Sequence, residues 1–162
     1  MKLLIFTEGT LLMHENGVWK SREEIVEQVK QNDPSVNNFS SYIPIGKCID
    51  KLNTWKEQNV ELIYLTSRKT SEEVEAIKNI LRDYEFPPGN LEFRKENETY
   101  AEIVERVMPD ILIEDNCESI GGEKEMSYTN LRQELKDKIK LIIVKEFEGI
   151  DHLPSHFKEL IA

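Results

Sequence analysis

The sequence predicts an α/β protein, with a five-stranded parallel sheet between two layers of helices. Three observations predict it. Five short apolar runs recur along the chain: Leu3–Phe6, Val60–Leu65, Leu91–Phe93, Ile111–Ile113 and Ile139–Val144. Apolar runs of this kind, rich in Ile and Val, suit strands buried on both faces of a parallel sheet. The segments between them carry apolar residues at helical spacing. Ser21-x-x-Glu24, Thr70-x-x-Glu73 and Thr99-x-x-Glu102 each place a hydroxyl three residues before a glutamate, the pattern of a capping box at a helix start. Strands alternating with helices give a parallel sheet. Right-handed crossovers are the rule for such units, and the expected strand order is 5-4-1-2-3.

The first run, Leu3-Leu4-Ile5-Phe6, breaks at Thr7-Glu8-Gly9. A strand–helix–strand unit takes about 30 residues, yet the second run starts only near Val60. The extra chain holds Thr10–His14, Glu15-Asn16-Gly17 and Val18–Lys20. Asn-Gly between apolar runs predicts a hairpin. A helix around Ser21–Lys30 and the polar stretch Asn32–Ser41 follow. A flap and small helical insert, about residues 11–44, therefore sits directly after the first strand. That places it above the carboxyl edge of the sheet, where open α/β sheets bind ligands. Ile45, Cys48, Ile49, Leu52 and Trp55 stripe the helix that leads to the second strand. Thr70 opens the next helix, which Pro87-Pro88-Gly89-Asn90 ends before Leu91. Tyr100, Ile103, Val104 and Val107 stripe a further helix ahead of Ile111, and Ile139–Val144 supplies the fifth strand.

At 162 residues the chain is expected to form one domain, 1–162. The 21 Lys plus Arg against 31 Asp plus Glu leave a formal charge of −10, which repels phosphodiester backbones, so no nucleic-acid partner is expected. The apolar runs fall far short of the roughly 20 residues of a membrane span, so no membrane partner is expected either. Glu8 interrupts the opening run too early for a signal peptide. Two cysteines, Cys48 and Cys117, make no disulfide framework, and a reducing cytoplasm is the expected location. His14, His152 and His156 have no zinc-site spacing. Oligomeric state is not legible.

Chemistry-bearing residues follow the strands. Thr7-Glu8-Gly9-Thr10 follows the first, Thr66-Ser67-Arg68 the second and Arg94-Lys95 the third, while Glu114-Asp115-Asn116 ends the fourth. Carboxylates, hydroxyls and a lysine thus converge on one edge. A Mg²⁺-assisted phosphoryl site requires such a set: oxygen ligands for a hard cation, and a cation with hydroxyl and amide donors for phosphate. The helix opening near Thr70 adds free amides.

These motifs resemble the haloacid dehalogenase-like (HAD) phosphatase superfamily over nearly the whole chain. The family's first motif is an apolar strand followed by Asp-x-Asp-Gly-Thr-Leu, and this chain has Phe6-Thr7-Glu8-Gly9-Thr10-Leu11. A strand ending in Thr66, Lys95 before a helix, and a strand ending in Glu114-Asp115 match the second, third and fourth motifs in order. The resemblance implies a Rossmann-like three-layer sandwich, a flap after the first strand, and a phosphorylated small molecule as ligand. It implies Thr66, Ser67 and Lys95 as phosphate contacts, and Glu114, Asp115 and the Glu8 carbonyl as ligands of a weakly held Mg²⁺. The family's second Asp, the general acid/base, corresponds to Glu8. Its first, the phosphate-accepting nucleophile, corresponds to Phe6, and a phenyl ring can neither attack phosphorus nor bind a metal.

Three functional readings follow. The first is a phosphate-binding relative of a small-molecule phosphatase without the aspartyl nucleophile. The second is an enzyme using metal-activated water with Glu8 as general base. The third is a protein-interaction module with a vestigial pocket. Residues around Val36–Ile43 of the insert would select the ligand.

Overall fold

The computed structural model describes all 162 residues. Seven strands and five α-helices alternate in the order β1 (Lys2–Phe6), β2 (Leu12–Met13), α1 (Arg22–Lys30), β3 (Ile43–Pro44), α2 (Cys48–Lys56), β4 (Glu61–Leu65), α3 (Ser71–Asp83), β5 (Asn90–Glu92), α4 (Tyr100–Val107), β6 (Ile111–Asp115), α5 (Gln133–Lys136) and β7 (Lys140–Val144). Short 3-10 turns fill several connections.

Five strands form one parallel sheet in the order β5-β4-β1-β6-β7. The labels differ from 5-4-1-2-3 because two flap strands enter the count. Numbered among themselves, the five strands read 5-4-1-2-3 from the β7 edge. Ile5 of central β1 stands opposite both Tyr64 of β4 and Ile113 of β6.

Successive residues of a strand face opposite sides of the sheet, and here that alternation separates two cores. Leu3, Ile5, Leu62, Tyr64, Ile111 and Ile113 pack with Leu52 and Trp55 of α2 and Ile77 and Ile80 of α3. Leu4, Phe6, Ile63, Leu65 and Leu112 pack with Ile103, Val104 and Val107 of α4 and Leu135 of α5. Most of these side chains are buried completely, each worth about 1.5–3 kcal/mol of transfer free energy.

Ser21, Thr70 and Thr99 cap α1, α3 and α4, and in each case the glutamate three residues on returns the bond to the cap's own N–H. Helix α2 begins at Cys48, later than its apolar stripe predicts. Ile45 and Gly46 stay outside it because Gly46 has φ +56° and the Asp151 carboxylate accepts the Lys47 N–H at 2.9 Å.

The hairpin expected at Asn16-Gly17 does not form. Glu15–Gly17 is a 3-10 turn, and β2 pairs instead with β3 in antiparallel register, Met13 opposite Ile43 and Leu12 opposite Pro44. Val18, Trp19 and Lys20 are exposed and offer no apolar face for a returning strand, and Trp19 sits at φ +61°. The insert is thus a loop closed at its base by a two-stranded ribbon, with α1 and three 3-10 turns inside. No helix of the protein is long and apolar enough to cross a membrane.

Candidate functional site

The carboxyl ends of β1, β4 and β6 and the insert enclose a cavity of about 300 Å³. Phe6, Glu8, Arg68, Tyr100, Asp115 and Glu146 line its floor and sides, and Val29, Val36 and Tyr42 of the insert form its roof.

Phe6 ends β1 and packs edge-on against Tyr100 at the start of α4, with ring centroids 5.3 Å apart and planes at 73°. Aromatic pairs favour this arrangement, which adds about 0.5–1.5 kcal/mol beyond area burial. The Arg94 guanidinium lies over the Tyr100 ring, 4.2 Å from its centroid. An aromatic wall therefore stands where β1 meets the cavity.

Glu8 turns its carboxylate toward the end of β4. The Thr66 hydroxyl donates to Glu8 Oε1 at 2.5 Å, the Ser67 N–H donates to Oε2 at 3.2 Å, and the Thr7 hydroxyl also donates to Oε2. Arg68 Nε lies 3.4 Å from Oε1, within ion-pair reach but not aligned for a hydrogen bond. Arg68 is itself fixed. Its N–H donates to Thr66 Oγ1 at 3.1 Å, its Nη2 donates to Ser67 Oγ at 2.7 Å, and its guanidinium lies 4.2 Å from the Phe39 ring centroid of the insert.

The acidic pair at the end of β6 is divided by strand alternation. Glu114 shares the face of Leu112 and Phe6, where its carboxylate accepts the Ser127 N–H at 2.9 Å, the Ser127 hydroxyl at 2.8 Å and the Tyr128 N–H at 3.0 Å. Burial raises its pKa, and those three donors oppose the rise. Glu114 thereby anchors the loop that follows β6.

Asp115 emerges on the other face. Cys117 N–H donates to Oδ1 at 2.8 Å and the Thr10 hydroxyl to Oδ2 at 3.2 Å. Burial first, and then the charge of Glu146, push its pKa up to about 7. Gly9 is required beside it: its φ is +80°, and an added Cβ would lie 2.7 Å from Asp115 Oδ2. Glu146 follows β7 and accepts the Ser119 N–H at 2.7 Å and the Ser119 hydroxyl at 2.6 Å, and burial raises its pKa as well.

Of the residues singled out in the sequence, Phe6, Glu8, Ser67, Glu114 and Asp115 line the cavity, and Thr66 supports it from beneath through Glu8. Lys95 is exposed and does not line the cavity; its N–H donates to Glu98. The cations near the aromatic wall are Arg68 and Arg94 instead. Sequence reasoning passed over Glu146, although the rule used for the other strands, an acid just beyond an apolar run, reaches it after Val144. His14, buried on the insert, bonds Gln28 of α1 through Nε2 at 2.8 Å and helps fix the roof.

The motif resemblance implies a magnesium ion, and these residues do not fit one. Phe6 brings a phenyl ring, not a carboxylate, from the end of β1 to the cavity. Glu8 and Glu114 spend their oxygens on other donors, and both Asp115 oxygens accept hydrogen bonds. No three carboxylate, imidazole or thiol groups are arranged to share an ion.

No family model and no curated relative matches the sequence. Solved structures do match. The class C acid phosphatase from Bacillus anthracis superposes with a TM-score of 0.57 at 16% identity, over 91% of this chain and 67% of that one. Its tungstate-bound form gives 0.54 at 17%, over 91% and 68%. A chain of the Pnkp1/Rnl/Hen1 RNA repair complex gives 0.50 at 17%, over 89% of this chain and 43% of that one. At these identities the likeness concerns the fold alone. The sandwich and its central first strand are a fold that this chain shares with the class C acid phosphatase.

Proposed function

We propose that the protein is a HAD-like phosphate-binding domain that does not perform aspartyl-phosphate chemistry. One observation carries this reading: Phe6, which the motif resemblance matches to the family's nucleophile, presents a ring packed on Tyr100, while the hydroxyl, amide and guanidinium donors of Thr66, Ser67 and Arg68 are gathered on one carboxylate. Those donors suit the phosphate group of a small molecule. The apolar roof suits an uncharged body beyond it. Glu8 is already engaged by these donors, which supports a binding role over a general base free to take a proton from water.

The test is turnover of an aryl phosphate with Mg²⁺ present, beside inorganic phosphate binding followed by ³¹P line broadening. The expected result is no turnover above buffer, and weak binding that Thr66→Val or Arg68→Met removes. Turnover by the wild type that survives Phe6→Ala but is lost in Glu8→Gln would replace this reading with the metal-activated-water enzyme.

A further inference from the structure

Glu8 is coordinated in the manner of a ligand. Two hydroxyls, one amide N–H and a guanidinium close on its two carboxylate oxygens, and its side chain is only 12% exposed. These are the donors by which the loop after β4 would hold a phosphate. Two anions cannot share them, because a hydroxyl or an N–H has one proton to give and like charges repel at hydrogen-bond range.

We propose that Glu8 is a built-in occupant of the oxyanion cradle formed by Thr66, Ser67 and Arg68, and that a phosphate group binds only by displacing it. This rests on the phosphate reading above and adds how that site is regulated. A tethered group competes at an effective concentration in the millimolar range or above. The observed affinity of the free anion falls by the fraction of molecules in which the cradle is open. The length of the side chain matters as well as its charge: the glutamate reaches Thr66 from the β1 loop, and an aspartate at position 8 is one methylene shorter.

The experiment is calorimetric titration of the intact protein with inorganic phosphate, using wild type, Glu8→Ala, Glu8→Asp and the double variant Glu8→Ala/Arg68→Met, each first checked for folding by circular dichroism. Glu8→Ala should bind phosphate at least tenfold more tightly than wild type. Glu8→Asp should bind several-fold more tightly although it keeps the charge, and the double variant should lose the gain. Equal affinity of wild type and Glu8→Ala would overturn the occupancy proposal and leave the phosphate reading standing. A gain in Glu8→Ala with none in Glu8→Asp would reduce Glu8 to simple charge repulsion and overturn it too. Binding that survives the double variant would place the anion elsewhere. No binding by any folded variant would overturn the phosphate reading along with the proposal.

Discussion

Glu8 and Asp115 leave adjacent strands at the same edge of the sheet and line the same cavity, yet their surroundings are opposite. Glu8 faces a guanidinium and three hydrogen-bond donors. Asp115 has two neutral donors and faces the carboxylate of Glu146. Burial removes water from both, but only Glu8 receives a countercharge in exchange. The lesson is electrostatic. A buried carboxylate that faces a second carboxylate, with no cation to replace its lost hydration, moves toward its protonated form, as Asp115 does. On one side of the cavity a carboxylate sits among donors and a guanidinium, and on the other Asp115 faces a second carboxylate.

The largest test of this contrast uses Glu114, buried like Asp115 but with three donors. Glu114→Ala should cost roughly 3 kcal/mol, because it orphans two backbone N–H groups and a hydroxyl. It should lower Tm by about 6–12 °C. Glu114→Gln, which keeps an acceptor, should cost less than half as much. Near-equal losses would mean that the negative charge, rather than the satisfied amides, holds the loop.

The next effect is pH-dependent. The folded pKa of Asp115, about 7, lies above that of an unfolded aspartate, so the folded state holds a proton that the unfolded state has already released. The contribution of Asp115 to stability is therefore intact below about pH 4 and declines as pH rises to about 7, and raised pKa values at Glu114 and Glu146 act in the same direction. Asp115→Asn keeps an acceptor for Cys117 and can donate to Thr10. Relative to wild type it should gain about 2 kcal/mol between pH 5 and pH 8, read as urea unfolding free energies. A difference that stays flat over that range would break the comparison.

The smallest expected effect concerns Arg68. Removing it should make Glu8 resemble Asp115, so Arg68→Met should cost about 1–2 kcal/mol at pH 7.5. The variant should recover part of that loss when Glu8→Gln is added, a positive coupling in a double-mutant cycle. Strict additivity would show that Arg68 acts through its packing on Phe39 instead.

Local signals made the framework legible. The capping boxes at Ser21, Thr70 and Thr99 lie within single turns of chain, and all three are present as read. The Asn16-Gly17 signal failed for the opposite reason. The partner of β2 is Ile43–Pro44, a non-local pairing that leaves no mark on the chain between Asn16 and Lys20. In the site, strand-end position was readable but direction was not. Glu114 and Asp115 are neighbours in sequence and both reach the cavity, yet the alternation of the strand turns one carboxylate onto Ser127 and Tyr128 and the other onto Thr10 and Cys117.

The sequence by itself determined the alternating α/β framework, the insert after the first strand, and the phenyl ring at the end of that strand. Periodicity, capping and residue identity are local properties, and no distant contact can change them. Only the tertiary structure decided that the carboxylate of Glu8 fills the cradle at Thr66, that Arg68 rather than Lys95 stands beside it, and that Glu146 faces Asp115. Each of those facts joins strands distant in sequence, and side-chain reach and the balance of charge against desolvation exist only once the sheet has brought those strand ends together.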